Sequence, residues 1–158
     1  APAMYTVWAG DAAVTRFLRW QPHKSAAETR SLLEAWAAQY ACGGFYNWAV
    51  VRRADGMLMG AIGAVPAEDG AGLLEPGYAL GRRYWGQGYA TEAARACIAH
   101  AAKLGIPELV AFTFVGNGRS RRVMQKLGMT CVGEFDHPAL PEGHPLRRHA
   151  LYRIRTEQ

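Results

Sequence analysis

Apolar and polar positions along the chain predict three helices and six strands. From Ser25 to Tyr40, the residues Leu32, Leu33, Trp36, Ala37 and Tyr40 recur at helical spacing, and Ser25 with Glu28 fits a capping box at the start. Gly43 and Gly44 stop this helix. Two apolar runs follow, FYNWAVVR (45–52) and MLMGAIGAV (57–65), joined through Ala54-Asp55-Gly56. Aspartate-glycine between apolar runs predicts a tight hairpin. After a loose PAEDGAG comes a third strand, LLEPGYAL (73–80). Proline cannot donate to a sheet ladder, so Pro76 predicts an edge or a bulge, and Gly77 beside it a bulge or a splay.

Between Ala90 and Leu104 the period is again helical, with Ala90, Ala93, Ala94, Cys97, Ile98, Ala101 and Leu104 on one small-residue face. Gly105 is the expected stop, with Pro107 just beyond. ELVAFTFV (108–115) predicts a strand buried on both faces. GNGRSRRVMQKLGM (116–129) predicts a short helix ending at Gly128. TCVGEFDH and RRHALYRIR then close the chain as two strands around a Pro-rich loop. The order helix, three strands, helix, strand, helix, two strands points to an α/β fold, a mixed sheet with helices on its faces.

Composition narrows the class. The 158 residues fit one domain, half of them apolar and 20% charged. The longest apolar runs fall far short of the ~20 residues a membrane span needs, and no signal-peptide pattern opens the chain. A cytoplasmic protein with no membrane partner is the expectation. Cys42, Cys97 and Cys131 match neither a metal motif nor a disulfide framework, so reduced and mostly buried thiols are expected. Net charge is +5, carried by fifteen arginines against three lysines. Arginine suits bidentate contact with phosphate or carboxylate. The basic residues lack the interleaved aromatics of the common RNA-binding modules, which weighs against nucleic acid.

The charge gains meaning at GRRYWGQGYATEAAR (81–95). Gly86 and Gly88 permit positive φ, so backbone N–H groups can converge on an anion, and the following helix adds the positive end of its dipole. Arg82 and Arg83 can supply charge nearby. The chain contains no GxxxxGK[ST], which excludes a P-loop. A dinucleotide fingerprint fails too: Thr91 stands where a third glycine is needed, and Glu108 precedes the next strand instead of ending it. A second basic cluster, Arg119, Arg121 and Arg122, sits in the first turn of its helix, where cations oppose the dipole unless an anion joins them.

Taken together, RRYWGQGYATEA and NGRSRRVMQKLGM resemble the GCN5-related N-acetyltransferases (GNAT). The first matches the (Q/R)xxGx(G/A) pyrophosphate loop through Arg83, Gly86 and Gly88. The second, about thirty residues on, resembles N-x-x-(A/S)-x-x-(L/V)-x-x-K-x-G-(F/M). The ribosomal-protein alanine acetyltransferase branch is the most similar. The resemblance runs from about Val14 to Arg155. It implies a GNAT fold, with a mixed, mostly antiparallel central sheet splayed in the middle and helices on both faces, in one domain over residues 1–158. Its partners would be acetyl-CoA and an amine acceptor, with no metal and room for a homodimer. By the same resemblance, the turn Gly86, Gln87, Gly88, Tyr89 and Ala90 with the Thr91 hydroxyl would hold the pyrophosphate. Pantetheine would lie along Tyr78, Ala79 and Leu80, Asn117 would bond it, and arginines around 119 to 122, Arg122 among them, would reach the 3′-phosphate, with no motif fixing which one.

The family's direct transfer to a primary amine needs a base, an oxyanion donor and a donor to the departing thiolate. Glu75 is the expected base, a backbone N–H near Ala79 or Leu80 the oxyanion donor, and Ser120 the thiolate donor. Many family members place a tyrosine acid where this chain has Met124. That departure keeps a non-catalytic CoA-binding or sensor module as the alternative. Cys97, on the apolar helix face, is no candidate nucleophile. The loop DHPALPEGHPLRRH (136–149) lacks zinc-ligand spacing and is expected at the surface beside the acceptor groove, where His137 and Glu142 could touch substrate. The five tryptophans are expected in the core or a groove wall. Family members usually carry a strand ahead of the region where this sequence begins. An upstream segment outside the sequence is expected, with a sheet one edge strand short as the alternative.

Overall fold

The computed structural model describes residues 1–18, 20–40, 47–66 and 74–156, and no side chain is described at 65, 66 and 74–76. Cys42, the Gly43–Gly44 stop and residues 67–73 lie outside the described residues. The chain divides into two compact units, Ala1–Val65 with Gly77–Ala93, and Pro66–Pro76 with Ala94–Gln158.

The first unit opens on a short helix, α1 (Pro2–Met4), that runs on as a π-helical turn, Tyr5–Ala9, followed by α2 (Ala12–Thr15) and α3 (Ala26–Tyr40). The capping box of α3 forms one residue off register. The Glu28 N–H donates to Ser25 Oγ at 3.3 Å, while its carboxylate accepts from the Lys24 N–H at 2.7 Å. Leu32, Leu33 and Trp36 pack against buried Met4, Trp8, Ala9 and Ala61. Ala37 and Tyr40 are exposed, so the apolar stripe of α3 is narrower than its period predicts.

Strands β1 (Asn47–Val51) and β2 (Leu58–Pro66) pair antiparallel, from Asn47 opposite Gly63 to Val51 opposite Leu58. Their connection is longer than a two-residue turn: the Gly56 N–H donates to the Arg52 carbonyl, and the Arg52 N–H to that of Met57. Asp55 braces it by accepting from the Met57 N–H at 3.2 Å and from Arg52 Nε at 2.9 Å.

Asp11 caps α2, its Oδ1 accepting from the Ala13 N–H, and pairs with Arg82. Burial raises the Asp11 carboxyl, but the Ala13 amide and the Arg82 guanidinium outweigh it and hold the group below its ordinary value. A depressed carboxyl contributes stability above its unfolded value, about pH 4, that is lost as pH falls through the folded value. Thermal midpoints followed from about pH 6 to about pH 2 are therefore expected to fall less steeply in Asp11→Asn than in the wild type. Equal acid slopes would remove Asp11 from this account.

The second unit contains most of α4 (Tyr89–Lys103), then β4 (Glu108–Phe114), α5 (Gly118–Lys126), β5 (Thr130–Asp136) and β6 (Arg148–Arg155). Strand β6 lies between β4 and β5 and is antiparallel to both. Strand β3 (Leu74–Leu80) joins this unit in parallel with Leu74 opposite Leu109, the one β3–β4 pair among the described residues. Hydrogen-bonded neighbours thus run β1-β2-β3 in the first unit and β3-β4-β6-β5 in the second. The arrangement is mixed and mostly antiparallel, as the family resemblance implies.

The core here is Ala111, Met124, Met129, Ala150 and Tyr152. Three expectations fail. Leu104 is 57% exposed, because α4 ends at Lys103 and the chain turns away at Gly105. Cys131 is exposed on β5 and not buried. His137 is fully buried, its ring among those of Phe112, Phe135 and His149, so it is no surface contact for a substrate.

Candidate functional site

The glycine turn lies in the first unit. After Leu80, the Gly81 N–H donates to the Met59 carbonyl at 2.9 Å and a 3₁₀ turn, Arg82–Tyr84, brings the chain about. The Trp85 indole N–H donates to the Leu80 carbonyl at 2.8 Å, and Gln87 Nε2 donates to that of Arg83 at 2.7 Å. These bonds hold the turn against the end of β3. Gly86 and Gly88 adopt φ of 74° and 88°, as the sequence predicts, and a Cβ on either would meet open space.

Helix α4 starts at once. Its ladder begins with the Glu92 N–H on the Gly88 carbonyl, so the amides of Tyr89, Ala90 and Thr91 precede the first rung. Such amides, with the helix dipole, favour an anion in front of them. The turn therefore suits an anion: two backbone positions that only glycine adopts readily, with no atom within 4 Å of where their Cβ would stand, lead directly into a helix end. Gln87 is exposed and Tyr89 and Ala90 half-buried, whereas the Thr91 side chain is buried. Tyr78 and Ala79 are half-buried and Leu80 buried. Both arginines beside the turn are engaged: Arg82 Nε lies 2.6 Å from Asp11 Oδ2, and the Arg83 guanidinium lies 4.8 Å from the Tyr84 ring centroid.

In the second unit, Asn117 is the N-cap of α5. Its Oδ1 accepts from the Ser120 N–H at 3.3 Å and its Nδ2 donates to Thr113 Oγ1 at 3.1 Å. This capping role is absent from the motif reading, although asparagine before a helix is its usual sequence signal. Ser120 is half-buried, and Arg122 is exposed. Arg121 points inward, donating to the Tyr152 hydroxyl at 3.1 Å and the Val115 carbonyl at 3.2 Å. The Tyr152 hydroxyl is the main reason its guanidinium is held more firmly protonated than usual. One of the three clustered arginines is thus structural. Met124, at the tyrosine position of the motif, belongs to the core. Glu75 stands in β3.

Cys97 is buried on α4, and burial pushes its thiol up to about 11, so it carries almost no thiolate at neutral pH. Among the described residues no three His, Cys, Asp or Glu side chains are grouped to hold a metal ion, and no helix is long and apolar enough to cross a membrane.

Residues 1–130 match the family model of the acetyltransferase (GNAT) domain. The chain belongs to this family. The uncharacterised protein YkkB of Bacillus subtilis is 37% identical over 84 residues, which are 52% of this chain and 49% of YkkB. The match thus spans about half the length of that relative. Among solved structures, a GNAT-family acetyltransferase from Bacillus anthracis superposes with a TM-score of 0.84 at 24% identity, over 99% of this chain and 89% of its own. RimL, a ribosomal L7/L12 alpha-N-protein acetyltransferase in complex with coenzyme A, superposes with a TM-score of 0.83 at 21% identity, over 98% and 87%. At these identities the two structures establish the GNAT fold.

Proposed function

We propose that this chain is an acetyl-CoA-dependent N-acetyltransferase, moving an acetyl group directly to a primary amine within one domain spanning residues 1–158. The observation that carries this reading is the turn Gly86–Ala90, with two glycines at positive φ opening directly onto the amides of α4. Family membership and the coenzyme A bound to RimL support it.

Bound acetyl-CoA would supply the activated thioester. The amides of Gly86 to Ala90 would hold its pyrophosphate, with Gln87, Tyr89, Thr91 and Arg83 around them. Tyr78, Ala79 and Leu80 would carry pantetheine along β3, and Asn117 would bond it through whatever capacity its capping leaves. Arg122, exposed at the start of α5, would meet the 3′-phosphate. Glu75 would take the proton from the ammonium, a backbone N–H at Ala79 or Leu80 would donate to the developing oxyanion, and the Ser120 hydroxyl would donate to the departing thiolate.

The acceptor class is tested by incubating the protein with acetyl-CoA and amino acids, peptides with free N-termini and polyamines, and following thiol release. With the preferred amine, Glu75→Gln is expected to lower kcat by about a hundredfold near neutral pH while acetyl-CoA binding is kept, the usual cost of losing a general base. Tight acetyl-CoA binding with no release across the panel would instead identify a non-catalytic binding module.

A further inference from the structure

The start of α5 is held in two ways. Asn117 caps it, but the bond from the Ser120 N–H to Asn117 Oδ1 is 3.3 Å, longer than the usual range of about 2.7–3.2 Å. The second hold is the side chain of the next residue, Arg121. Its Nε donates to the Tyr152 hydroxyl at 3.1 Å and its Nη1 to the Val115 carbonyl at 3.2 Å. One planar guanidinium thus bridges two points, and its rigid fork fixes the angle between them. Both points are themselves anchored. Tyr152 is 1% exposed and lies on β6, opposite Ala111 of β4 on one side and Cys131 of β5 on the other. The Val115 N–H donates to the Arg148 carbonyl at 3.0 Å.

Each partner is locally unfavourable without the other. Arg121 brings a cation close to the positive end of the helix dipole. Tyr152 brings a hydroxyl into the core formed with Ala111, Met124, Met129 and Ala150, where phenylalanine would bury the same ring without a polar group to satisfy. Their bond answers both costs, and it ties the first turn of α5 to the strand between β4 and β5. The residue it steadies is the one before Arg121. We propose that Arg121 and Tyr152 are positioning residues for acetyl transfer, their bond fixing the first turn of α5 and with it Ser120. This inference rests on the proposed activity and on Ser120 as donor to the departing thiolate. Both residues act through Ser120 and take no part in the chemistry.

The test compares Tyr152→Phe, which keeps the ring and removes only the hydroxyl, with Arg121→Lys, which keeps the charge and loses the fork. Thiol release is followed with acetyl-CoA and the best amine of the panel, and acetyl-CoA binding by calorimetry. Each variant is expected to lower kcat by about tenfold with binding near wild type, less than the hundredfold that a full ångström of misplacement can cost. The double variant should be no slower than either single one, because both remove the same contact. In a Ser120→Ala background, Tyr152→Phe should lower kcat no further. A merely structural tie would lower the thermal midpoint and slow both backgrounds alike, and that result overturns the positioning role. Wild-type kcat in both Tyr152→Phe and Arg121→Lys overturns it too. If the wild type releases no thiol with any amine, the proposed activity fails and this role with it. If the wild type is active and Ser120→Ala is equally fast, the activity stands and this role falls.

Discussion

Gly88→Val is expected to give a folded protein whose kcat/KM for acetyl-CoA is lower by about a hundredfold, the scale of a misplaced binding geometry. Gly88 holds φ of 88°, where a β-branched residue is an outlier. A Cβ there meets nothing within 4 Å, so no packing clash opposes folding and the cost is backbone strain of about 1–2 kcal/mol. The chain can shed that strain only by turning the peptide out of the left-handed region, which swings the amides that open α4. Space that is empty in the protein alone is also where a bound pyrophosphate would approach. Gly105, just beyond α4, provides the control: its φ is 71° and its surroundings are equally open. Gly105→Val should cost similar stability in a denaturant titration and leave the acetyl-CoA KM unchanged. If Gly88→Val kept wild-type kcat/KM, the turn would not be the cofactor cradle.

The glycine turn was legible because its constraint is local. Two glycines one residue apart before a helix-forming run demand a conformation that few other residues adopt, and both φ values agree. The order of the six strands and the three longer helices was legible for the same reason, since their periods are read within one element, whereas α1, the π-helical turn and α2 are too short to show a period. What escaped depends on partners far along the chain. Asp11 and Arg82 are 71 residues apart, so nothing local announces that the arginine is already held. His137 lies in a loop rich in proline, which predicts exposure, but aromatic rings from β4, β5 and β6 enclose it. Cys131 fits a buried thiol by residue type and is exposed because β5 shows most of its length to solvent.

Gly60 belongs with these long-range cases and sets the second large effect. In sequence it is one glycine in an apolar run, a residue that ordinarily weakens a strand. In the fold, a Cβ at Gly60 would stand 2.1 Å from the Ala79 carbonyl oxygen, 2.6 Å from Leu80 Cδ2 and 2.9 Å from Leu80 Cα. Two of these three atoms are backbone, so a rotamer change cannot relieve the contact, and β2 and β3 must move apart. Gly60→Ala is therefore expected to destabilise the protein by about 1–3 kcal/mol, the range for forcing a methyl group into a packed site. For a chain of this size that lowers the thermal midpoint by roughly 2–4 °C per kcal/mol. The residues displaced are Ala79 and Leu80, and the Leu80 carbonyl receives the Trp85 indole that holds the turn. Strain at Gly60 should therefore reach the cofactor as well as the fold, raising the acetyl-CoA KM at temperatures where the variant remains folded. A thermal midpoint within about 1 °C of the wild type would show that β2 and β3 yield without cost. A lowered midpoint with an unchanged KM would separate the strand contact from the turn.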